Sequence, residues 1–375
     1  MRPLRVFFNT GELSGEVLAA ELLGAMRAHA EIDAEGVGDA RLEAAGVRIV
    51  QRNRGWASIG PLEAFKRIPM LFAAALPLVA RLLRRPPDLL VLVDYGAYNT
   101  RFAFLLRRLG FRAPIVHYVP PGAWFDNARR ARAVAAVCDP LAIFRHQAEF
   151  YRARGLPIGY VGHPMVSTID AREPLPPPAP DGGLVALLPG SRRGEIERLA
   201  PLMLDALARV RARRPNLRAV VVAANDAAFA QLEALLAARE PLAIDIVRDA
   251  RATLRRVDAA LVASGTAVLE AALIATPAVA TYTLTAAQAR YFQAVWKRPY
   301  VTLPNLVLDE EIVPELLQDR ATPEALADAL IGLLDAPHAQ LASYARLRAA
   351  LGPADALDGN ARWVLDVAAE RRAGR

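Results

Sequence analysis

Cysteine is almost missing from this chain: Cys138 is the only one in 375 residues. That excludes an internal disulfide framework and any cysteine-rich metal site, and it points to a reducing cytoplasm with Cys138 as a buried structural thiol. Long apolar runs are missing too. The longest, Ile68 to Ala80, carries two prolines and falls well short of the roughly 20 residues a spanning helix needs. The opening MRPLRVFFNTGELSGE has acids at Glu12 and Glu16 and no small-residue cleavage site, so it reads as a first strand rather than a leader. No GxxxxGK[ST] is present, which argues against P-loop ATP hydrolysis. An Asp-x-Asp triplet is absent as well, which disfavours a metal-bridged pyrophosphate, so no metal and no other cofactor are expected. Without a helix-turn-helix, a zinc signature or interleaved aromatic and basic residues, nucleic acid is not an expected partner.

Acid is scarce in one stretch. Residues 50–132 hold 14 basic residues against Glu63, Asp88, Asp94 and Asp126, within a chain of net charge +7. These cations, among them Lys66, Arg67, Arg81, Arg84 and Arg85, frame the apolar run 68–80. Cations around a short apolar helix suit the surface of an anionic bilayer, where apolar residues enter the interface and arginines meet phosphates. The plain alternative is a packed helix with a solvated basic face.

At this length two domains are the default, and 54% hydrophobic residues supply two cores. Short apolar runs alternate with amphipathic stretches, the pattern of parallel sheets with crossover helices. Strands are expected at 4–8, 88–93, 114–119 and 158–161, then at 184–188, 219–224, 244–247, 259–263 and 278–283. The segment 167–183, with five prolines and a closing Gly-Gly, reads as a linker. The expected architecture is α/β, two facing Rossmann-like doubly wound domains with a cleft between them: 1–166, then 184–354, with a helix over about 355–375 packing back on the first. Ligands of such sheets bind beyond the carboxyl ends of the strands.

The residues there carry chemistry. In LLPGSRRGEIERL (187–199) an apolar strand meets Pro189-Gly190-Ser191-Arg192 and a helix follows. Glycine lets backbone approach a ligand, the helix start favours an anion, and arginine matches phosphate oxygens. A strand-to-helix turn with surface arginines is the plain alternative. ALVASGTAVLEAAL (260–273) repeats the arrangement with Ser264, Gly265 and Thr266, and places Glu270 one turn later, leaning back toward the helix start. That carboxylate suits a ribose diol, so the pair of turns points to a nucleoside diphosphate, its charge met by Arg192 and helix ends. In the first half, Ser14 is a candidate cap in NTGELSGE, beside Gly15 and Glu16. In DLLVLVDYGAYN, Asp94 at a strand end is a candidate general base, with Asn99 near enough to orient a substrate. His163 reads more readily as a core or hinge residue than as a catalyst.

The series GELSGE, VDYGAYN, HYVPPGAW, VGHP, LPGSRRGEI, ASGTAVLEAAL and LPNL…ELLQ resembles, in order and over about 5–330, the lipid-A-disaccharide synthase family of GT-B glycosyltransferases. That resemblance implies an inverting transfer from UDP-2,3-diacylglucosamine to 2,3-diacylglucosamine 1-phosphate, releasing UDP, at the cytoplasmic face of the inner membrane. It implies Asp94 as the group that deprotonates the acceptor. Arg192, Ser264, Gly265, Thr266, Glu270 and Asn305 would hold UDP, and Ser14, Gly15, Glu16, Asn99 and Gln318 are sugar or acceptor contacts. The family's GEASGD is GELSGE here, and its DAPDFN is DYGAYN, so its second aspartate is Ala97. A UDP-sugar 2-epimerase, a transferase with another acceptor, and a non-catalytic UDP-sugar binder stay open as alternatives. So does homo-oligomerisation.

Overall fold

The computed structural model describes residues 2–56, 61–121, 127–176, 178–239 and 243–373, the side chains of 61–68 and 371–373 excepted. The chain forms two compact units, residues 1–168 with 351–375, and residues 169–350.

In the first unit seven parallel strands run β1 (Leu4–Asn9), β2 (Ile32–Gly38), β3 (Arg48–Arg52), β4 (Leu89–Val93), β5 (Ile115–Tyr118), β6 (Asp139–Ala142) and β7 (Gly159–Tyr160). Their spatial order is β3-β2-β1-β4-β5-β6-β7. β4 is buried along its whole length, as a central parallel strand covered on both faces must be. The order reverses between β1 and β4, so the crevice of this sheet opens beyond Asn9 and Val93. Helix Ala356–Ala373 packs on helix Leu13–Arg27. Asn360 Nδ2 donates to Gly162 O at 3.2 Å and Tyr118 Oη at 3.3 Å, and the Trp363 indole lies where a Cβ on Gly159 would sit.

The second unit has six parallel strands: β8 (Leu184–Leu188), β9 (Arg218–Val222), β10 (Ile244–Val247), β11 (Ala259–Ala263), β12 (Ala278–Tyr282) and β13 (Glu315–Leu317). They are ordered β10-β9-β8-β11-β12-β13. Here the reversal falls between β8 and β11, paired from Ala259 opposite Val185 to Val262 opposite Leu188. Among its described residues the proline-rich segment has no regular element after Thr168, yet it is not loose. Arg172 donates to the carbonyls of Val257 (2.7 Å), Leu254 (3.2 Å) and Ala275 (3.3 Å), which fastens the segment to the second unit. Cys138 is buried, and burial pushes its thiol up to about 12.

One helix, Pro61–Arg84, absorbs both Pro69 and Pro77. Its Leu78, Val79 and Leu82 enter the core of the first unit with Phe102 and Leu106. Met70, Phe72 and Leu76 stay 42%, 60% and 52% exposed. Among the described residues no helix is long and apolar enough to cross a membrane.

Candidate active site

Register alone sets the two phosphate-ready turns side by side. β8 and β11 are hydrogen-bonded neighbours, so Pro189–Arg192 and Ser264–Thr266 leave the same edge of the sheet, at the switch point where such sheets bind ligands. Each is followed by a helix, Arg193–Arg213 and Thr266–Ile274. Gly265 and Thr266 are exposed, Ser264 is half-buried, and a Cβ on Gly265 would meet nothing within 4 Å. That turn is open to a ligand.

The other turn holds an anion of its own. Glu195, buried on the first helical turn, accepts from the amides of Ser191 and Arg192 at 3.2 Å each, through Oε2. Its Oε1 takes Arg192 Nη1 and the Tyr282 hydroxyl, both at 2.9 Å. Burial, and then the Glu195 carboxylate, push the Tyr282 phenol up, so it stays a donor. Gly190 has φ +106, and a Cβ there would lie 2.5 Å from Glu195 Oε2. This glycine, expected to let backbone approach a ligand, makes room for Glu195. The amides expected to meet phosphate are likewise taken, and the Arg192 side chain remains 38% exposed.

Glu270 lies one turn into its helix as expected, and Arg251 holds it. Nε and Nη2 of Arg251 reach Glu270 Oε1 at 3.0 and 2.9 Å. Asn305 differs from expectation. It sits in helix Leu303–Leu308, fully buried and held by the protein's own groups. Its Oδ1 accepts from Ile312 and Val313 N, and its Nδ2 donates to Val313 O and Glu315 Oε1, all at 2.8 or 2.9 Å. Those bonds use both ends of the amide, and through them Asn305 shapes the loop before β13. Gln318 caps β13 in the left-handed region, φ 53. Its Oε1 accepts from Leu284 N at 3.3 Å, tying the ends of β12 and β13.

In the first unit Asp94 and Tyr95 both have φ 47, and Val119, after β5, has φ 62. Non-glycine residues pay for this conformation, and such strain gathers at functional sites. The kink at Asp94 is held from within. Asn99, fully buried, donates from Nδ2 to Asp94 O (2.8 Å) and Val93 O (3.3 Å) and accepts from Asn9 Nδ2 at 2.6 Å. His117 Nε2 also donates to Asp94 O at 3.2 Å. Burial draws this imidazole down to about 4, so it is neutral at pH 7. Asn99 therefore braces the backbone at Asp94, while Asp94 itself is half-buried at the strand end. The Tyr95 ring occupies the space a Cβ on Gly11 would need, which packs the β1 and β4 ends together.

Glu16 is also buried. Asn53 Nδ2 at 3.0 Å and Leu42 N at 3.4 Å hold its carboxylate from within the protein. Gly15 is buried, and a Cβ there would make only ordinary contact with Val93 O at 3.6 Å. Ser14 is half-buried within the helix, whose cap residue is Glu12. His163 packs on Phe144, 4.7 Å between ring centres, and burial draws it down to about 3, as a core residue. Of the basic patch, Arg84 and Arg85 are exposed. Arg81 is not available, because Nε and Nη2 pair with Glu35 at 3.3 and 2.6 Å. The side chains of Lys66 and Arg67, and residues 122–126 with Trp124, lie outside the described residues.

Sequence comparison agrees with this geometry. Residues 6–349 match the lipid-A-disaccharide synthetase family. The lipid-A-disaccharide synthase of Pseudomonas paraeruginosa is 38% identical over 358 residues, 93% of this chain and 94% of that protein. In fold, the chain is similar to UDP-GlcNAc 2-epimerase from Neisseria meningitidis bound to UDP-GlcNAc, with TM-score 0.64, 11% identity and coverage of 97% of this chain and 100% of that one. It is also similar to the glycotransferase of kitacinnamycin, with TM-score 0.62, 14% identity and coverage of 99% and 100%. Those two share the GT-B arrangement of two parallel-sheet domains. With a family match across most of its length and a curated relative at that identity, the chain belongs to the lipid-A-disaccharide synthetase family.

Proposed function

We propose that this protein is an inverting glycosyltransferase that joins UDP-2,3-diacylglucosamine to 2,3-diacylglucosamine 1-phosphate, giving lipid A disaccharide 1-phosphate and UDP. The observation that carries the reading is the switch point of the second unit, where Pro189–Arg192 and Ser264–Thr266 leave neighbouring strands in a chain of this family. The epimerase alternative rests on shared fold alone, at 11% identity, and is not favoured.

In this mechanism the exposed Ser264–Thr266 turn and the Arg192 guanidinium receive the diphosphate, and Glu270, steadied by Arg251, accepts from the ribose hydroxyls. Asp94 takes the proton of the acceptor hydroxyl as the oxygen attacks the anomeric carbon. The new C–O bond forms on the face opposite the breaking bond to phosphate, and UDP leaves with the electron pair. No metal is required, since arginine and helix-end dipoles meet the leaving charge.

Both substrates carry acyl chains, so the enzyme works at the inner face of the cytoplasmic membrane. Phe72 and Leu76, four residues apart on one helix face, enter the interface with Met70, and the exposed Arg84 and Arg85 meet lipid phosphate. Asp94→Asn tests the base. Transfer should fall by about a hundredfold or more, the order of a lost general base, with UDP affinity unchanged. Undiminished transfer removes Asp94 from that role.

A further inference from the structure

A turn suited to an outside anion is filled by the protein's own carboxylate, and that needs a reason. We infer that Glu195 is a positioning residue that sets the Arg192 guanidinium for the diphosphate of the donor. This rests on the reading that the turn receives that diphosphate. Four donors converge on one buried side chain: two amides on Oε2, and Nη1 of Arg192 with the Tyr282 hydroxyl on Oε1. Gly190 is cut to fit the same group, because any Cβ would lie 2.5 Å from Oε2. Tyr282 comes from the end of β12, so the clamp ties the turn to a second strand of the same sheet edge.

An unpaired arginine would have to be ordered by its ligand, and freezing a side chain so rich in rotamers lowers affinity. Pairing at Nη1 fixes the guanidinium before the ligand arrives while a good part of the side chain stays exposed. The two captured amides hold the φ +106 turn closed behind it. Glu195 therefore acts through Arg192 and never meets the substrate. A competing account makes Glu195 a stand-in that the diphosphate must displace, and the two predict opposite signs.

The test is calorimetric binding of UDP and of uridine to wild type, Arg192→Ala, Glu195→Gln, Tyr282→Phe and the Arg192→Ala/Glu195→Gln double variant. Glutamine keeps an oxygen for the two amides but cannot serve the guanidinium as a carboxylate does. Glu195→Gln should weaken UDP about tenfold, the scale of one charge-assisted bond, with uridine affinity unchanged. The double variant should bind UDP no worse than Arg192→Ala, since both act through one group. UDP bound by Glu195→Gln as tightly as by wild type, or more tightly, beside a weakened Arg192→Ala overturns the proposal. If Arg192→Ala also binds UDP normally, the diphosphate reading itself fails. Should Glu195→Gln not fold, Tyr282→Phe decides: about twofold to fivefold weaker UDP supports the clamp, on the scale of one neutral hydrogen bond, and unchanged affinity refutes it.

Discussion

Replacing Asn99 with alanine separates its structural work from that of Asp94. The amide is fully buried and makes three bonds: from Asn9 Nδ2 at 2.6 Å, to Asp94 O at 2.8 Å and to Val93 O at 3.3 Å. Alanine leaves the buried Asn9 donor without that acceptor, and each such orphan costs about 1–3 kcal/mol. The Asp94 carbonyl keeps its contact with His117 Nε2 at 3.2 Å, and the Val93 bond is long, so the acceptor side adds less. A total near ~3 kcal/mol follows, a sizeable part of the roughly 5–15 kcal/mol that holds a domain together. The kink at Asp94, φ 47, would relax, and an angstrom of misplacement can cost on the order of a hundredfold in rate. Urea unfolding should show the stability loss. Steady-state kinetics should show kcat falling at least tenfold, by that same argument, with KM for the UDP-sugar nearly unchanged because that site belongs to the second unit. A folded Asn99→Ala enzyme with wild-type kcat would refute the claim that Asn99 positions Asp94.

Three further outcomes follow from other parts of the chain. Arg251→Ala frees the Glu270 carboxylate it now holds at 2.9 and 3.0 Å, so KM for the UDP-sugar should rise about threefold to tenfold, the scale of one charged contact, and kcat should hold; an unchanged KM would separate Glu270 from the ribose. His117 and His163, ordinarily near 6.5, are drawn down to about 4 and about 3. The unfolded chain therefore binds protons that the folded one refuses: stability is full above about 6.5 and declines as pH falls toward 4. Urea midpoints at pH 7.5 and 5.0 should show the decline, smaller in His163→Asn, and a flat wild-type profile would contradict it. Finally, Phe72→Ser/Leu76→Ser/Arg84→Glu/Arg85→Glu should stay in solution where wild type floats with liposomes of anionic lipid; equal flotation rules this helix out as the contact.

The second unit was the more legible half. Strands 184–188 and 259–263 are readable because a central parallel strand, covered on both faces, is an unbroken apolar run; 244–247, IDIV, is an edge strand legible from its β-branched residues. β2, IDAEGVG, was hidden by its acids and glycines, although Gly36 is needed where the Phe8 carbonyl crosses. β3, RIVQR, is an edge strand with charged ends, and β13 has three residues, too few for any period. Among candidate-site residues, Arg192, Ser264 and Glu270 are legible because strand, glycine and helix start follow one another in sequence. Glu195, Tyr282 and Arg251 could not, because their partners are set by which strands lie side by side. The same limit explains Asn99, Asn305 and Glu16. A polar side chain after a strand looks alike in sequence whether it faces a ligand or a backbone carbonyl, and only burial separates the two.

The central claim is the reaction itself. Purified protein incubated with UDP-2,3-diacylglucosamine and 2,3-diacylglucosamine 1-phosphate should yield UDP and one new disaccharide 1-phosphate in equal amounts, resolved by mass spectrometry, and neither without the acceptor. UDP release with no disaccharide, or a sugar nucleotide converted to its 2-epimer, would contradict the account.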